Sequence, residues 1–199
     1  MNQPLGFAIG NALEVSEAIE TMKGNGPADF TRLCEDLGTG MLTLASPSES
    51  PASARARISE LIRSGKALER FSQMVEAQGG NPRIVERSDL LPESRNQHVV
   101  RAGESGYLAE ANARRLAIAS MNVGAALGDP SAGLVVHKKV ADWVDQGDPL
   151  CTIHYSREDL LSPALTLVET AFVIEEDRIR PPVLVERIIG MDVSITATE

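Results

Sequence analysis

The sequence predicts an α/β to α+β protein in two parts, helical over residues 1–80 and mixed α+β over 96–199, joined by a linker at 81–95. Three observations lead there. Apolar residues recur at helical spacing through the first part, and no strand-like stretch separates them. Asn81 to Arg95 is polar and holds two prolines, Pro82 and Pro92. From Asn96 onward the pattern changes to short β-like runs separated by Gly, Asp and Pro turns.

The first helix is expected to start at Asn11, an N-cap residue with Glu14 three positions later, as in a capping box. Val15, Ala18, Ile19 and Met22 form its apolar stripe, and Gly24 ends it. The second opens at Pro27 with Asp29 in its first turn. Its stripe is Phe30, Leu33, Cys34 and Leu37, then Met41 and Leu44, although Gly38 and Gly40 weaken its continuity. Ser46 to Ser50 reads as a loop. Ser50-Pro51 begins a third helix with Ala54, Ile58, Leu61 and Ile62 inward, ending at Gly65. Lys66 to Gln78 is the fourth, burying Leu68, Phe71, Met74 and Val75 before Gly79-Gly80 stops it.

In the second part the expected strands are Gln97 to Ala102, Gly106 to Ala109, Gly133 to Val140, Leu150 to Tyr155 and Val183 to Ile189. Two helices interrupt them, Ala111 to Met121 and Leu160 to Ile174. Leu165, Val168, Ala171 and Phe172 are the inner face of the second.

Composition narrows the function classes. With 199 residues, 43% hydrophobic and 24% charged, the chain suits one large domain or two small ones. A net charge of -9 argues against a nucleic-acid binder, which needs a basic face. Met1 to Gly10 has no Lys or Arg and no small-residue cleavage pattern, so it does not read as a signal peptide. No apolar run approaches the roughly 20 residues of a membrane span. Cys34 and Cys151 are far apart, with no CxxC spacing, and read as buried free thiols. A cytoplasmic protein is expected.

Two blocks of residues carry a family resemblance. The first is Gly6 to Val15 with Glu17-Ala18-Ile19, continued by Gly65 to Phe71, Met74-Val75 and Ala77 to Gly80. The second is Ser105-Gly106-Tyr107, His137 to Val140, Asp142, Val144, Gly147 to Leu150 and Thr152-Ile153-His154. Together they resemble the pyrimidine-nucleoside phosphorylase/thymidine phosphorylase family. The first block lies well inside that family's chains, so the resemblance is to a C-terminal portion beginning at Met1. It implies that residues 1–80 are the helical part of an α/β phosphorylase domain whose sheet comes mostly from preceding sequence. It also implies that residues 96–199 are the family's C-terminal α+β domain, a hammerhead-like barrel-sandwich. Apolar helix faces without a partner cost about 25 cal/mol per Å² left in water. Marginal stability, a homodimer or other homo-oligomer, or a companion N-terminal fragment is therefore expected.

The implied reaction is phosphorolysis, in which phosphate as co-substrate attacks the anomeric carbon of a pyrimidine nucleoside to give free base and pentose 1-phosphate. Its oxocarbenium-like transition state needs an anion cradle on one side and a held base on the other. The family supplies both upstream of the position matching Met1, and no catalytic or cofactor-binding residue carries over. A potassium site does carry over in part, with Leu5 and Ala8 giving carbonyls and Glu17 a carboxylate. Oxygen-only ligands suit a hard cation. Read without the family, Glu17 is a solvated helix acid.

Departures from the family pattern cluster in the second part. Gly124 to Pro130 replaces a Gly-Ala-Gly-Arg-like segment and its charged loop. Asn112 stands where an Asp is common, Ala117 where a Gly is common, and Ala141 where a Gly precedes Asp142. His98, His137 and His154 are not at ligand spacing and read as satisfied imidazoles. His137-Lys138-Lys139 reads as a solvated basic edge, Glu14 as a capping residue, and Trp143 as a core or interface anchor. A second reading is a non-catalytic binding or assembly module, because Val140 to Leu150 is also similar to a turn of biotinyl/lipoyl carrier domains. Carriers need a Lys at a hairpin tip, and Met121-Asn122-Val123 has none.

Overall fold

The computed structural model describes residues 3–185. The described residues form two compact units, one of residues 3–18 and Arg83–Pro182, the other of Ile19–Pro82 and residues 183–185. The stretch before Ile19 packs with the later strands. The cause is β1 (Ala8–Gly10), whose backbone finds its ladder partner far along the chain.

β1 runs directly into α1 (Asn11–Met22), which carries the chain from one unit to the other. Gly10 makes that junction at φ +138°, with its Cα so close to Ala132 O that a side chain would not fit. Glu14 does act at the helix start, but its carboxylate reaches Gly10 N (2.8 Å), one residue before Asn11.

In the helical unit, α2 (Ala28–Ala45), α3 (Pro51–Arg63) and α4 (Lys66–Ala77) follow the expected order. α2 runs unbroken through Gly38 and Gly40. Gly38 lies against the Ile58 side chain of α3, so the missing Cβ lets the two helices approach. Arg55 of α3 pairs with Glu35 (3.4 Å) and Asp36 of α2, and Ser59 Oγ donates to Glu35 (2.6 Å). Ser50 caps α3 by accepting from Ser53 N (3.2 Å), with Pro51 in the first turn. The expected apolar faces are less covered than their pattern suggests. Among the described residues of 19–82 only Ile19 and Ala54 are buried apolar side chains, while Leu37, Met41, Leu44, Leu61 and Met74 are exposed. α4 buries none of its residues. Cys34 is exposed as well, so only Cys151 meets the expectation of a buried thiol.

Short 3-10 turns at Pro82–Val85 and Ser88–Leu90 lead into the other unit. Its strands are β2 (Asn96–Arg101), β3 (Gly106–Ala111), β4 (Gly133–Val136), β5 (Trp143–Val144), β6 (Pro149–Tyr155) and β7 (Phe172–Glu175). They make two antiparallel sheets, in orders β1-β4-β6-β2 and β5-β3-β7. α5 (Ala113–Asn122) and α6 (Leu161–Glu169) pack into the core, where Leu108, Leu116, Leu134, Ile153 and Val168 are fully buried. This is a mixed α+β arrangement.

Three expectations change. The helix expected over Leu160 to Ile174 ends at Glu169, and Phe172 begins β7. The strand pairs with β3, and a ladder partner decides the conformation of an apolar run that fits either period. The strand expected over Gly133 to Val140 stops at Val136, where the chain turns toward β5. The strand expected over Val183 to Ile189 is not formed at 183–185, and its remainder lies outside the described residues. Among the described residues no helix is long and apolar enough to cross a membrane.

Candidate cation-binding site

Glu17 lies against the turn at Gly6 to Ala8 that enters β1, and Leu5 precedes that turn. Gly6 bends the chain there at φ +65°, and the Glu17 carboxylate lies so close to it that no Cβ would fit. In an antiparallel ladder the N–H and C=O of successive residues face opposite lateral sides. Phe7 O accepts from Val136 N (2.9 Å), and Ala8 is in register with Val135. Ala8 therefore turns its N–H and its carbonyl away from β4. Glu17 stands on that outward side, its Oε1 accepting from Phe7 N (2.8 Å) and Ala8 N (3.1 Å). Glu14 serves Gly10 N in the same way. The two carboxylates of α1 thus satisfy the outward amides of Ala8 and Gly10 on the edge of β1, and Glu17 also takes the Phe7 amide just before the strand.

Oxygen donors of the expected kind suit a singly charged hard cation. The Ala8 carbonyl and the Glu17 carboxylate share one side of β1, both through oxygen. Leu5 lies between two residues whose carbonyls are held: Lys139 Nζ donates to Pro4 O (2.9 Å) and to Gly6 O. Among the described residues, no group of three or more His, Cys, Asp or Glu side chains is placed to hold a metal ion.

Of the other singled-out residues, His137, Lys138, Trp143 and Asn112 have side-chain hydrogen-bond partners. His137 Nε2 is 2.7 Å from Thr152 Oγ1. Lys138 pairs with Asp148 (2.9 Å), and the ammonium holds that carboxyl below the usual range. The expected solvated basic edge is thus two bound lysines with different tasks. Trp143 is exposed, with its ring edge-on to Tyr107 at 5.0 Å and its Nε1 donating to Asp145 (3.0 Å). Asn112 caps α5 by accepting from Arg115 N (3.0 Å) and donates to Glu110 (2.7 Å), a bond an Asp would not make. The Gly124 to Pro130 loop holds the start of α1, since Pro130 O accepts from Ala12 N (3.0 Å). A cleft of about 300 Å³ lies beside β2, α6 and β7, lined by His98, Arg101, Glu104, Glu169, Phe172 and Ile174 among others, and includes none of the expected ligands.

Residues 107–175 match the family model described as pyrimidine nucleoside phosphorylase C-terminal domain. Proteins named pyrimidine-nucleoside phosphorylase from Staphylococcus aureus strains USA300, NCTC 8325 / PS 47 and bovine RF122/ET3-1 are each 40% identical over 195 residues. Residues 107–175 carry the C-terminal domain of the pyrimidine-nucleoside phosphorylase family. The alignments cover 95% of this chain and 45% of each relative, so the chain spans about half the length of the curated relatives it matches. The bonds of Lys139 to Pro4 and Gly6 were not legible in the sequence. The residue's only signal was its place within the second block of family-like residues.

Proposed function

We propose that this chain is the C-terminal portion of a pyrimidine-nucleoside phosphorylase acting on thymidine, uridine or deoxyuridine with phosphate, and that residues 1–199 alone do not turn over. One observation carries the reading: 40% identity runs over 95% of the chain. The phosphate cradle and base clamp are the parts the resemblance assigns to upstream sequence, and no Gly-rich Lys-Ser/Thr loop occurs in these 199 residues. Losing even one preorganised transition-state donor costs about 10²–10³ in rate.

In this reading residues 1–80 are the helical part of the α/β domain, 81–95 the linker, and 96–199 the hammerhead-like C-terminal domain. The working enzyme is a cytoplasmic homodimer. Potassium belongs to it, held by the Leu5 and Ala8 carbonyls and the Glu17 carboxylate, and supplies positive charge near the phosphate. The carrier-like alternative is not favoured, since Met121-Asn122-Val123 lies at the end of α5 and not at a hairpin tip.

The test is base release from thymidine, uridine and deoxyuridine in phosphate. It is run on the purified chain alone and again with the upstream half of a related enzyme. No release alone and release after mixing are expected. Robust release by the chain alone would overturn the reading.

A further inference from the structure

We infer that Lys139 is a positioning residue for the candidate cation site, acting as a built-in positive charge that sets the carbonyls of the segment before β1. The inference rests on the reading of Leu5, Ala8 and Glu17 as cation ligands.

Two side chains hold the segment. The Glu17 carboxylate gathers the Phe7 and Ala8 amides. The Lys139 ammonium gathers the Pro4 and Gly6 carbonyls and lies 5.0 Å from the centre of the Phe7 ring. An ammonium has three donors and no acceptor, so it draws carbonyls inward as a small cation does. Taking Pro4 O and Gly6 O leaves the carbonyl of the residue between them to be set by the same turn. Ala8, two residues past Gly6, presents its own carbonyl on the Glu17 side of β1.

Lys139 stands on a fixed base. Its backbone N–H donates to Asp142 Oδ2 (2.8 Å), and its carbonyl accepts from Asp142 N (3.0 Å). That turn is tied to β3 twice: Ala141 N donates to Leu108 O and Leu108 N to Asp142 O, both at 2.9 Å. Next along the chain, Val140 N donates to Gln3 Oε1 (2.7 Å), a further tie to the same segment. A long, flexible side chain loses much rotamer freedom when it is held. Here the cost is offset by charge-assisted bonds to two carbonyls. Lys138, the preceding residue, reaches Asp148 and Trp143 O, so it does not share this task.

The experiment uses the full chain with Lys139→Met, Lys139→Arg and Lys138→Met. Two quantities are read in each: hydrogen exchange at the Phe7 and Ala8 amides, and the potassium dependence of thermal unfolding, with choline replacing potassium at constant ionic strength. Lys139→Met is expected to speed exchange at both amides by about tenfold or more, the scale of one lost charge-assisted bond. It should also raise the potassium concentration giving half the stabilisation by a similar factor. Lys139→Arg should recover much of both effects, and Lys138→Met should show neither. Unchanged exchange at Phe7 and Ala8 in Lys139→Met would overturn the role of Lys139, even with a normal potassium response. Absence of any potassium response in the wild-type chain would instead remove the cation site on which the inference depends. If Lys139→Met does not fold, judged by Trp143 emission, Lys139→Gln is read by the same criteria.

Discussion

Ala141 shows how a family-level departure becomes a local energy. It is the one non-glycine residue with positive φ among the described residues, at +82°. A Cβ in the left-handed region costs roughly 1–2 kcal/mol, part of which glycine gives back through its freer unfolded chain. Ala141→Gly is therefore expected to stabilise the chain by about 1 kcal/mol. Urea unfolding of the two chains checks it, and an unchanged or lowered midpoint would count against the strain. Ala117 makes the opposite trade. It lies exposed on α5, where alanine favours helix over the family's glycine by roughly 1 kcal/mol. Thiol chemistry separates in the same residue-by-residue way: burial pushes the Cys151 thiol up to about 12, while Cys34 faces solvent.

The helices were legible because an apolar residue every three or four positions admits few other readings, and Ser50-Pro51 marks the start of α3 well. The short strands were not. β1 has three residues and β5 two, too few for a period to show, and both exist because a partner strand is present. β7 hid inside the apolar run from Leu160 to Ile174. The proposed cation ligands rest on resemblance alone, since Leu5 and Ala8 would act through backbone carbonyls that any residue has. Lys139 was beyond reach, because the contact with Pro4 spans 135 positions. Within α2, Thr39 carries a hydroxyl that is buried without a hydrogen-bond partner among the described residues. Such a group costs about 1–3 kcal/mol when desolvated. Thr39→Val, which keeps the shape and removes the hydroxyl, should raise stability by about 1 kcal/mol. A fall in thermal midpoint would mean that the hydroxyl is satisfied in solution.

Acid should weaken the molecule in two separate ranges. Burial holds the His154 imidazole below its ordinary 6.5, and the neighbouring His137 adds to the shift. The unfolded chain then binds more protons than the folded one as pH falls below about 6.5, so stability is lost on acidification and is level above that point. Asp129 is held below its ordinary 3.8, mainly by the Ser131 hydroxyl, and its contribution is lost only at lower pH. The urea midpoint is expected to drop between pH 7.5 and 5.5, and His154→Gln should flatten that drop while leaving the loss below pH 4. A wild-type profile flat from 7.5 to 5.5 would rule out the histidine contribution.

The pairing of β1 with β4 has a consequence for how the chain is made. Ile9 leaves the ribosome long before Leu134, its partner in the ladder. β1 is thus the earliest made of the strands described here, and it can be placed only after the chain through β4 has followed it. Until then Glu14 and Glu17, close by on α1, are the partners within local reach of its amides. Closing so long a loop adds little equilibrium cost, since each doubling of length costs about 0.6 kcal/mol. Its price is time: non-local pairing slows folding and leaves an edge open while the nascent chain waits. The two glutamates serve the finished sheet as edge protection, and during synthesis they shield the same amides from the wrong strand.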